Sequence, residues 1–448
     1  MRSMTSNRAR HHALVTLCAS AILLGCGGGG ASGPDGTKTA QVAFASHPMA
    51  YMGGVLHPSG TQAALDDVVR AKYKKWKDRY LIKGCGGYYV CANEIPGRCV
   101  DDGAALVATG GKGADGMDLD MQLTVSEGHG YGMLLAALMA GEDPDARDIF
   151  DGLVAVHDRF TSPYDVHLMS WTMLAGCMPP AAGDNDAATD GDLDSAFGFL
   201  LAEKQWNSPT YGRRAKETID AVQNREMNPQ THLPLLGDWA NPQDDQKSYY
   251  STRTSDHMPD HFRAFATATG DANWSSSVTA VYALMDKLQT MFAPMTGLVS
   301  DFVKDTDGNA SPVGVGEADA LLMEQLTTDY DYNACRVPWR LGTDLIVKGE
   351  PQAKTVLNRL NTFIKTKSGG DPMMILDGYS LAGDPHKDAG PNGCFTGGFG
   401  VAAMSDPGSQ VWLDAIWNQL VKNDVDDYFG DTVSLLTMIV MSGNWWSP

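Results

Sequence analysis

The chain is short of positive charge. It carries 34 Lys and Arg against 54 Asp and Glu, a formal net charge of −20 over 448 residues. A polyanionic partner would be repelled, which sets aside nucleic acid and anionic lipid surfaces. Long apolar runs are missing too. Past residue 25 none reaches the roughly 18 residues that a membrane-spanning helix needs. Alternating strand patterns are scarce. No histidine stands at a metal-ligand spacing and no cysteines form C-x-x-C pairs, so neither a metal nor a cofactor is expected. What remains is 43% apolar and 8% aromatic, the composition of a globular chain.

The first 25 residues read as a processing segment. "MRSMTSNRARHH" is basic and polar, "ALVTLCASAILLG" is apolar, and Cys26 follows. This is the pattern of a secretory signal peptide. The "LLGC" ending resembles a bacterial lipoprotein signal, with lipid expected on Cys26. Residues 26–50, which begin "CGGGGASGPDGTKT", suit a flexible tether. The expected location is therefore outside the cytoplasm, in a bacterial cell envelope, with membrane contact only through the lipid. Removing the segment, with its three arginines and no acids, takes the formal charge from −20 to −23. Six cysteines follow Cys26: Cys85, Cys91, Cys99, Cys177, Cys335 and Cys394. An oxidising compartment allows disulfides, and a local bridge is expected among Cys85, Cys91 and Cys99.

From residue 51 to 448 the chain reads as one all-α domain. Helical patterns begin near Thr61, Ser126, Pro144, Asp190, Gly212, Met258, Asn273, Arg336, Pro351, Phe395, Ser409 and Asp431. Apolar positions in "AALDDVVRAKYKKWKDRYL" and "SQVWLDAIWNQLVKN" recur every three or four residues, as amphipathic helices require. Twelve helices in one domain suggest pairs arranged in a closed ring. Periodicity alone does not separate that from an open solenoid. Long loops rich in Gly, Asp, Asn and aromatics run from 83 to 116, 224 to 256 and 297 to 332, where function is expected. A monomer is expected.

One stretch raises a chemical question. "TVSEGHGYGMLLAALMAG", residues 124–141, is an apolar helix with a single carboxylate, Glu127, at its mouth. A buried Glu is costly unless paired or neutral, so Glu127 is either a dipole-complementing helix acid or a working group. A second stretch, "AATDGDLDSAFGFLLAEKQW", crowds Asp190, Asp192 and Asp194 at a helix entrance. D-x-D-x-D is a fragment of a calcium loop, but the glycine and distal Glu of that loop are not in place. Carboxylates that bind sugar hydroxyls or tune a neighbouring acid fit better.

"VSEGHGYGMLLA" followed by "ATDGDLDSAFGFLLAEKQW" resembles the two signature regions of the family-8 glycoside hydrolases. "DYNACRVPWRLGTDLI" (331–346) and "YFGDTVSLLTMIVMSGNWW" (428–446) resemble that family as well. His129 departs from the expected Gln. The resemblance implies an (α/α)6 barrel of six inner and six outer helices. It also implies endo-hydrolysis of a β-1,4-linked polysaccharide with inversion, with Glu127 as general acid. A glycosidic oxygen needs a proton from a positioned acid that still holds it near working pH. A helix N-terminus works against that, and Asp190 alongside would restore it by like-charge repulsion. Asp190 is also expected to hold the distorted sugar.

The general base is less direct. One branch of the family uses an Asp in a Y-D-x-x-R motif, which here reads Tyr332-Asn333-Ala334-Cys335-Arg336. An amide cannot take the proton. Either the protein is a degenerate polysaccharide binder or another carboxylate serves. A second branch, which includes chitosanases, uses a Glu in a loop inserted just before the motif. The insertion "VGEADALLMEQLTTDYDYNACR" offers Glu324, with Glu317 as runner-up. The stretch "TRTSDHMPDHFRAF" (252–265) resembles the same branch. Trp171, Trp239 and Tyr332 are expected as sugar platforms, and Asn333, Arg336 and Asp256 as further substrate contacts. Trp339, Trp412 and Trp417, inside helical patterns, are read as core. The branch and the acidic body point to chitosan as substrate, with β-glucan as the alternative and xylan third.

Overall fold

The computed structural model describes residues 36–92, 122–243, 246–314, 328–387, 389–422 and 427–448. Cys26, Cys99, Glu317 and Glu324 lie outside them. Twelve helices of ten or more residues are present among the described residues: α1 Gln62–Tyr80, α2 Ser126–Leu138, α3 Ala146–Arg159, α4 Thr189–Trp206, α5 Pro209–Arg225, α6 Pro259–Thr269, α7 Asn273–Lys287, α8 Val337–Lys348, α9 Pro351–Lys367, α10 Gly393–Met404, α11 Gln410–Lys422 and α12 Tyr428–Met441. A single helical turn, Gln246–Tyr249, lies in the loop before α6.

Burial sorts the helices into two layers. Every residue of α10 is buried, and every residue of α2 except Glu127. In α4 all but Glu203 and Lys204 are buried, and α8 and α12 are buried over most of their length. Helices α1, α3, α5, α7, α9 and α11 bury only a stripe. A helix apolar all round belongs inside, and one with a single stripe belongs outside against it. Even-numbered helices therefore form the inner ring and odd-numbered ones the outer ring. The ring closes where α12 meets α2. A Cβ added to Gly128 would stand 2.6 Å from the Tyr428 hydroxyl, so this approach requires glycine. Gly130 does the same toward α4, with Asp194 Cβ at 2.7 Å.

Short strands decorate the loops at the mouth: β1 Leu81–Gly84 with β2 Gly87–Val90, β3 Gln122–Val125 with β4 Thr172–Leu174, and β5 Thr252–Arg253, β6 Phe302–Lys304 and β7 Ser311–Pro312 in one sheet. All pairs are antiparallel. Strands of two to four residues are too short to show a period of two, which is why the sequence pattern does not reveal them.

One expectation is corrected and a second is narrowed. Residues 36–50 are not a free tether. Thr37 N–H donates to Trp206 O (2.8 Å), Gln41 N–H to Gln205 O (2.9 Å) and Phe44 N–H to Ala140 O (2.8 Å), and Phe44 is buried. Apolar Val42 and Phe44 gain more by covering α2 and α4 than a solvated linker would. Cys85 takes no part in the local bridge expected among Cys85, Cys91 and Cys99. It pairs with Cys177, 92 residues on, because β1 lies beside the loop that follows β4. Cys335 pairs with Cys394, and Cys91 is also disulfide-bonded.

At about 100° per residue Asp192 turns away from Asp190, while Asp194, one helical turn further on, shares its face at greater depth. Asp194 faces the helix interior of the barrel. Arg340 Nη1 and Nη2 donate to its two oxygens at 2.7 and 2.6 Å, and His261 Nε2 lies 3.0 Å away. This buried fork ties α4 to α8 and α6. Asp192 points elsewhere and accepts the Met169 N–H at 2.9 Å. The calcium-like spacing therefore does not gather three acids at one point. Asp194→Ala is expected to destabilise the fold by roughly 3–5 kcal/mol, since it strands the buried Arg340 charge. Urea unfolding followed by circular dichroism checks this, and a loss under about 1 kcal/mol would show that Arg340 finds another partner.

Candidate active site

The site grows from one local arrangement. β3 runs directly into α2, and Ser126 N–H donates to Trp171 O (2.8 Å) on the approach to β4. That pairing fixes where α2 begins. Glu127 follows in the first turn and is the single residue of α2 that is not buried, its side chain 14% exposed.

Arg336 reaches Glu127 from the 3-10 turn Ala334–Arg336 before α8. Its Nη1 donates to Glu127 Oε2 at 2.6 Å and to Asp190 Oδ2 at 3.0 Å. The two carboxyls are thus neighbours across one guanidinium nitrogen. Tyr428 OH donates to Glu127 Oε1 at 3.2 Å, and Tyr131 OH lies 3.2 Å from Arg336 Nη1. Arg253 on β5 supplies a second cation, its Nη1 3.0 Å from Asp190 Oδ2. The Cys335–Cys394 bridge fastens the Arg336 turn to the start of α10.

The electrostatics separate the two acids. Burial pushes the Glu127 carboxyl above the usual range; Arg336 opposes this and Asp190 adds to it. Burial, rather than Asp190, is the larger cause. Burial would raise Asp190 as well, but Arg253 and Arg336 outweigh it and hold Asp190 ionised, below its ordinary value. Burial shifts one carboxyl upward while two arginines hold its neighbour down, the direction of separation that a general acid and its tuning partner require. With its side chain 4% exposed, Asp190 acts through Glu127 and Arg336 and offers little surface to a sugar.

The other expected residues divide. Tyr332 is 42% exposed, hydrogen-bonded through its OH to Asp377 (2.8 Å), and packed edge-on against Phe395. It is an open ring beside the Arg336 turn. Trp171 is half-buried and donates from Nε1 to Asp184 O (3.0 Å). Trp239 is half-buried against the cluster of Leu236, Phe302 and Val313, in which the Phe302 ring carries Arg253 at 5.6 Å. Asp256 is corrected as a sugar contact. It is fully buried, and burial together with Asp190 pushes its carboxyl up to about 7. Trp339, Trp412 and Trp417 are core residues. His129 is buried with Nε2 2.7 Å from Leu153 O, and burial lowers it to about 4, so it is a neutral donor turned away from Glu127. Arg253, Tyr428 and Tyr131 were not picked out in the sequence. Each lay inside a stretch already notable, but nothing in spacing shows that three elements converge.

An open aromatic at the Arg336 turn and a carboxyl of raised pKa, at the mouth of a double ring of helices, suit a carbohydrate-cleaving helical barrel. The sequence model of the family described as "Glycosyl hydrolases family 8" matches residues 105–443. The chain is 36% identical over 403 residues to a "Beta-glucanase" from Niallia circulans, covering 89% of this chain and 90% of that one. It is 35% identical over 410 residues to an "Endoglucanase" from Bacillus sp. (strain KSM-330), covering 88% and 80%. The solved apo structure of a beta-1,3-1,4-glucanase from Paenibacillus sp. X4 superposes with a TM-score of 0.80 at 34% identity, over 92% of this chain and all of that one. The chain belongs to glycoside hydrolase family 8, and its ring of paired helices is the (α/α)6 barrel.

Asp190→Asn removes a negative neighbour of Glu127 and frees both arginines to act on it. Both effects lower the Glu127 pKa. The basic limb of the kcat profile should therefore move to lower pH, with kcat reduced. A limb that stays in place would leave Asp190 with no electrostatic role.

Proposed function

We propose that this glycoside hydrolase is an endo-acting, inverting enzyme on β-glucan, cutting β-1,4 bonds in mixed-linkage or cellulose-like chains. The observation that carries it is Glu127: a carboxyl whose pKa burial raises, beside an Asp190 that two arginines hold low, yet the one residue of its helix that solvent can reach. Glu127 gives its proton to the glycosidic oxygen as the bond to the anomeric carbon breaks. A water adds to that carbon from the opposite face, and a base takes the proton that the water releases.

The choice of glucan rests on the similar proteins, which are glucanases, at identities of 34–36% over most of the chain. They lend no support to chitosan, which the branch resemblance and the acidic composition favoured. Acidity is a weak guide to substrate, since it also serves solubility.

Glu324 is proposed as the base on sequence alone. The described acids around Glu127 are unsuited to the task. Asp190 is paired with two arginines, Asp256 is fully buried, and Asp301 accepts N–H groups on both oxygens. The lipid on Cys26 and an envelope location remain proposals of the same kind. Membrane fractionation of wild type and Cys26→Ser tests them, and a fully soluble wild-type protein would remove the anchor.

A reducing-sugar assay on barley mixed-linkage glucan, carboxymethylcellulose, chitosan and xylan should be highest on barley glucan. Activity confined to chitosan or xylan would replace the substrate, and inactivity on all four would favour a binder. Glu127→Gln should lower kcat by roughly 10²–10⁴-fold while polymer binding persists. Glu324→Gln should be comparably impaired. Proton NMR of the first product should show the inverted anomer; retention would exclude this mechanism.

A further inference from the structure

Asp301 sits just before β6, 3% exposed, and its carboxylate meets four N–H groups. Oδ1 accepts from Asp331 N–H (2.9 Å) and Ala334 N–H (2.7 Å). Oδ2 accepts from Asn333 N–H (3.1 Å) and from the Asn333 side chain, Nδ2 (2.9 Å). Asn333 Oδ1 in turn accepts from Arg336 Nη2 at 2.9 Å. The other tooth of the same guanidinium, Nη1, is the one on Glu127 and Asp190. The Asp301 backbone also joins both arginine-bearing segments: Thr254 N–H donates to its carbonyl (2.9 Å), next to Arg253.

Resting on Glu127 as the acid, we propose that Asp301 and Asn333 are positioning residues, a buried carboxylate and a bridging amide that fix the Arg336 fork against Glu127. The chemistry asks for an amide at 333. Its neighbour on one side is an acceptor only, and on the other a donor only. Asn presents N–H₂ to Asp301 and C=O to Arg336. An Asp there would set carboxylate against carboxylate at hydrogen-bonding distance, and an aliphatic residue would leave both partners unmet in a buried place. Asn333 is therefore not the remnant of a lost base. Without it the guanidinium is held on one tooth and can turn about its stem. A small misplacement of this kind reaches the reaction through the orientation of the acid.

The groups that face Glu127 are Arg336, Asp190, Arg253, Tyr428 and Tyr131, from α2, α4, α12, β5 and the Arg336 turn. Asp331 and Tyr330 face Asp301, with the His386 ring 4.0 Å from Asp331. Among those facing Glu127, Arg336 is the foremost influence that lowers its pKa. Loosening it should raise the midpoint.

The test is a carbon-13 carboxyl NMR titration of Glu127, assigned by its loss in Glu127→Gln, in wild type, Asn333→Ala and Asn333→Asp. It is run beside kcat and KM across pH on barley glucan. In Asn333→Ala the Glu127 midpoint and the basic limb should rise together, with kcat down about 10-fold or more and KM little changed. Asn333→Asp should also lose activity. A merely structural role would lower the melting temperature and leave the Glu127 midpoint in place, which would overturn the proposal. A gain of activity in Asn333→Asp would overturn it as well. If wild type cleaves no glucan while the midpoint still moves, the positioning role stands and the substrate reading falls.

Discussion

A buried guanidinium holds this active site together. Arg336 is 2% exposed in its side chain, and an unpaired charge there would be prohibitively costly. It is paired instead with two carboxylates of unequal fate, Glu127 on α2 and Asp190 on α4. Tyr131 and Asn333 complete its hydrogen bonds, and the Phe429 ring lies 5.6 Å from its carbon. Elements far apart in the chain are thereby drawn to one point. Arg253 adds the second positive charge that keeps Asp190 ionised. Glu127 is left as the outermost member, buried enough for its pKa to rise and open enough for solvent to reach it.

The barrel supplies the rigidity this requires. A second buried fork, Arg340 on Asp194, repeats the arrangement one helical turn deeper with no solvent access. Its function is packing: Arg340 lies 3.8 Å from the Trp339 ring centre and bridges three inner helices. The same helix therefore uses Asp190 for chemistry and Asp194 for cohesion. The difference is only their distance from the mouth. Gly130 lets α2 approach the α4 backbone at Gly191 and Ser195, and Gly128 admits the Tyr428 ring of α12, so α2 is seated closely between the two.

Much of the architecture was legible in the sequence. The expected helix starts at Ser126, Asn273 and Pro351 coincide with the observed ones, because an apolar face repeating at three and four residues is a local property. The start expected at Asp431 came late because the cap is Asp427, whose side chain accepts from Phe429 and Gly430 N–H. Glu127 was conspicuous as a lone acid on an apolar helix, and Asp190 by crowding. Asp190 lies beside Glu127 as expected, and the guanidinium of Arg336 between them was not expected.

The amino-acid order by itself determined the helical class and singled out Glu127 and Asp190, while the closed ring of helices came from the family resemblance and not from periodicity. Tertiary structure alone decided the rest. Asp256 looked like a cleft residue and is buried, since a carboxyl in a loop carries no mark of which way the loop folds. Residues 36–50 looked like a linker and are packed, because Gly-rich composition upstream obscures two apolar side chains that find α2 and α4. Arg253 and Asp301 reach the centre from β5 and the approach to β6, strands too short to announce themselves. Asn333 read as a missing base and stands as a bridge between Asp301 and Arg336. Hydrogen-bond complementarity between residues 32 positions apart has no local signature and exists only once the chain has folded.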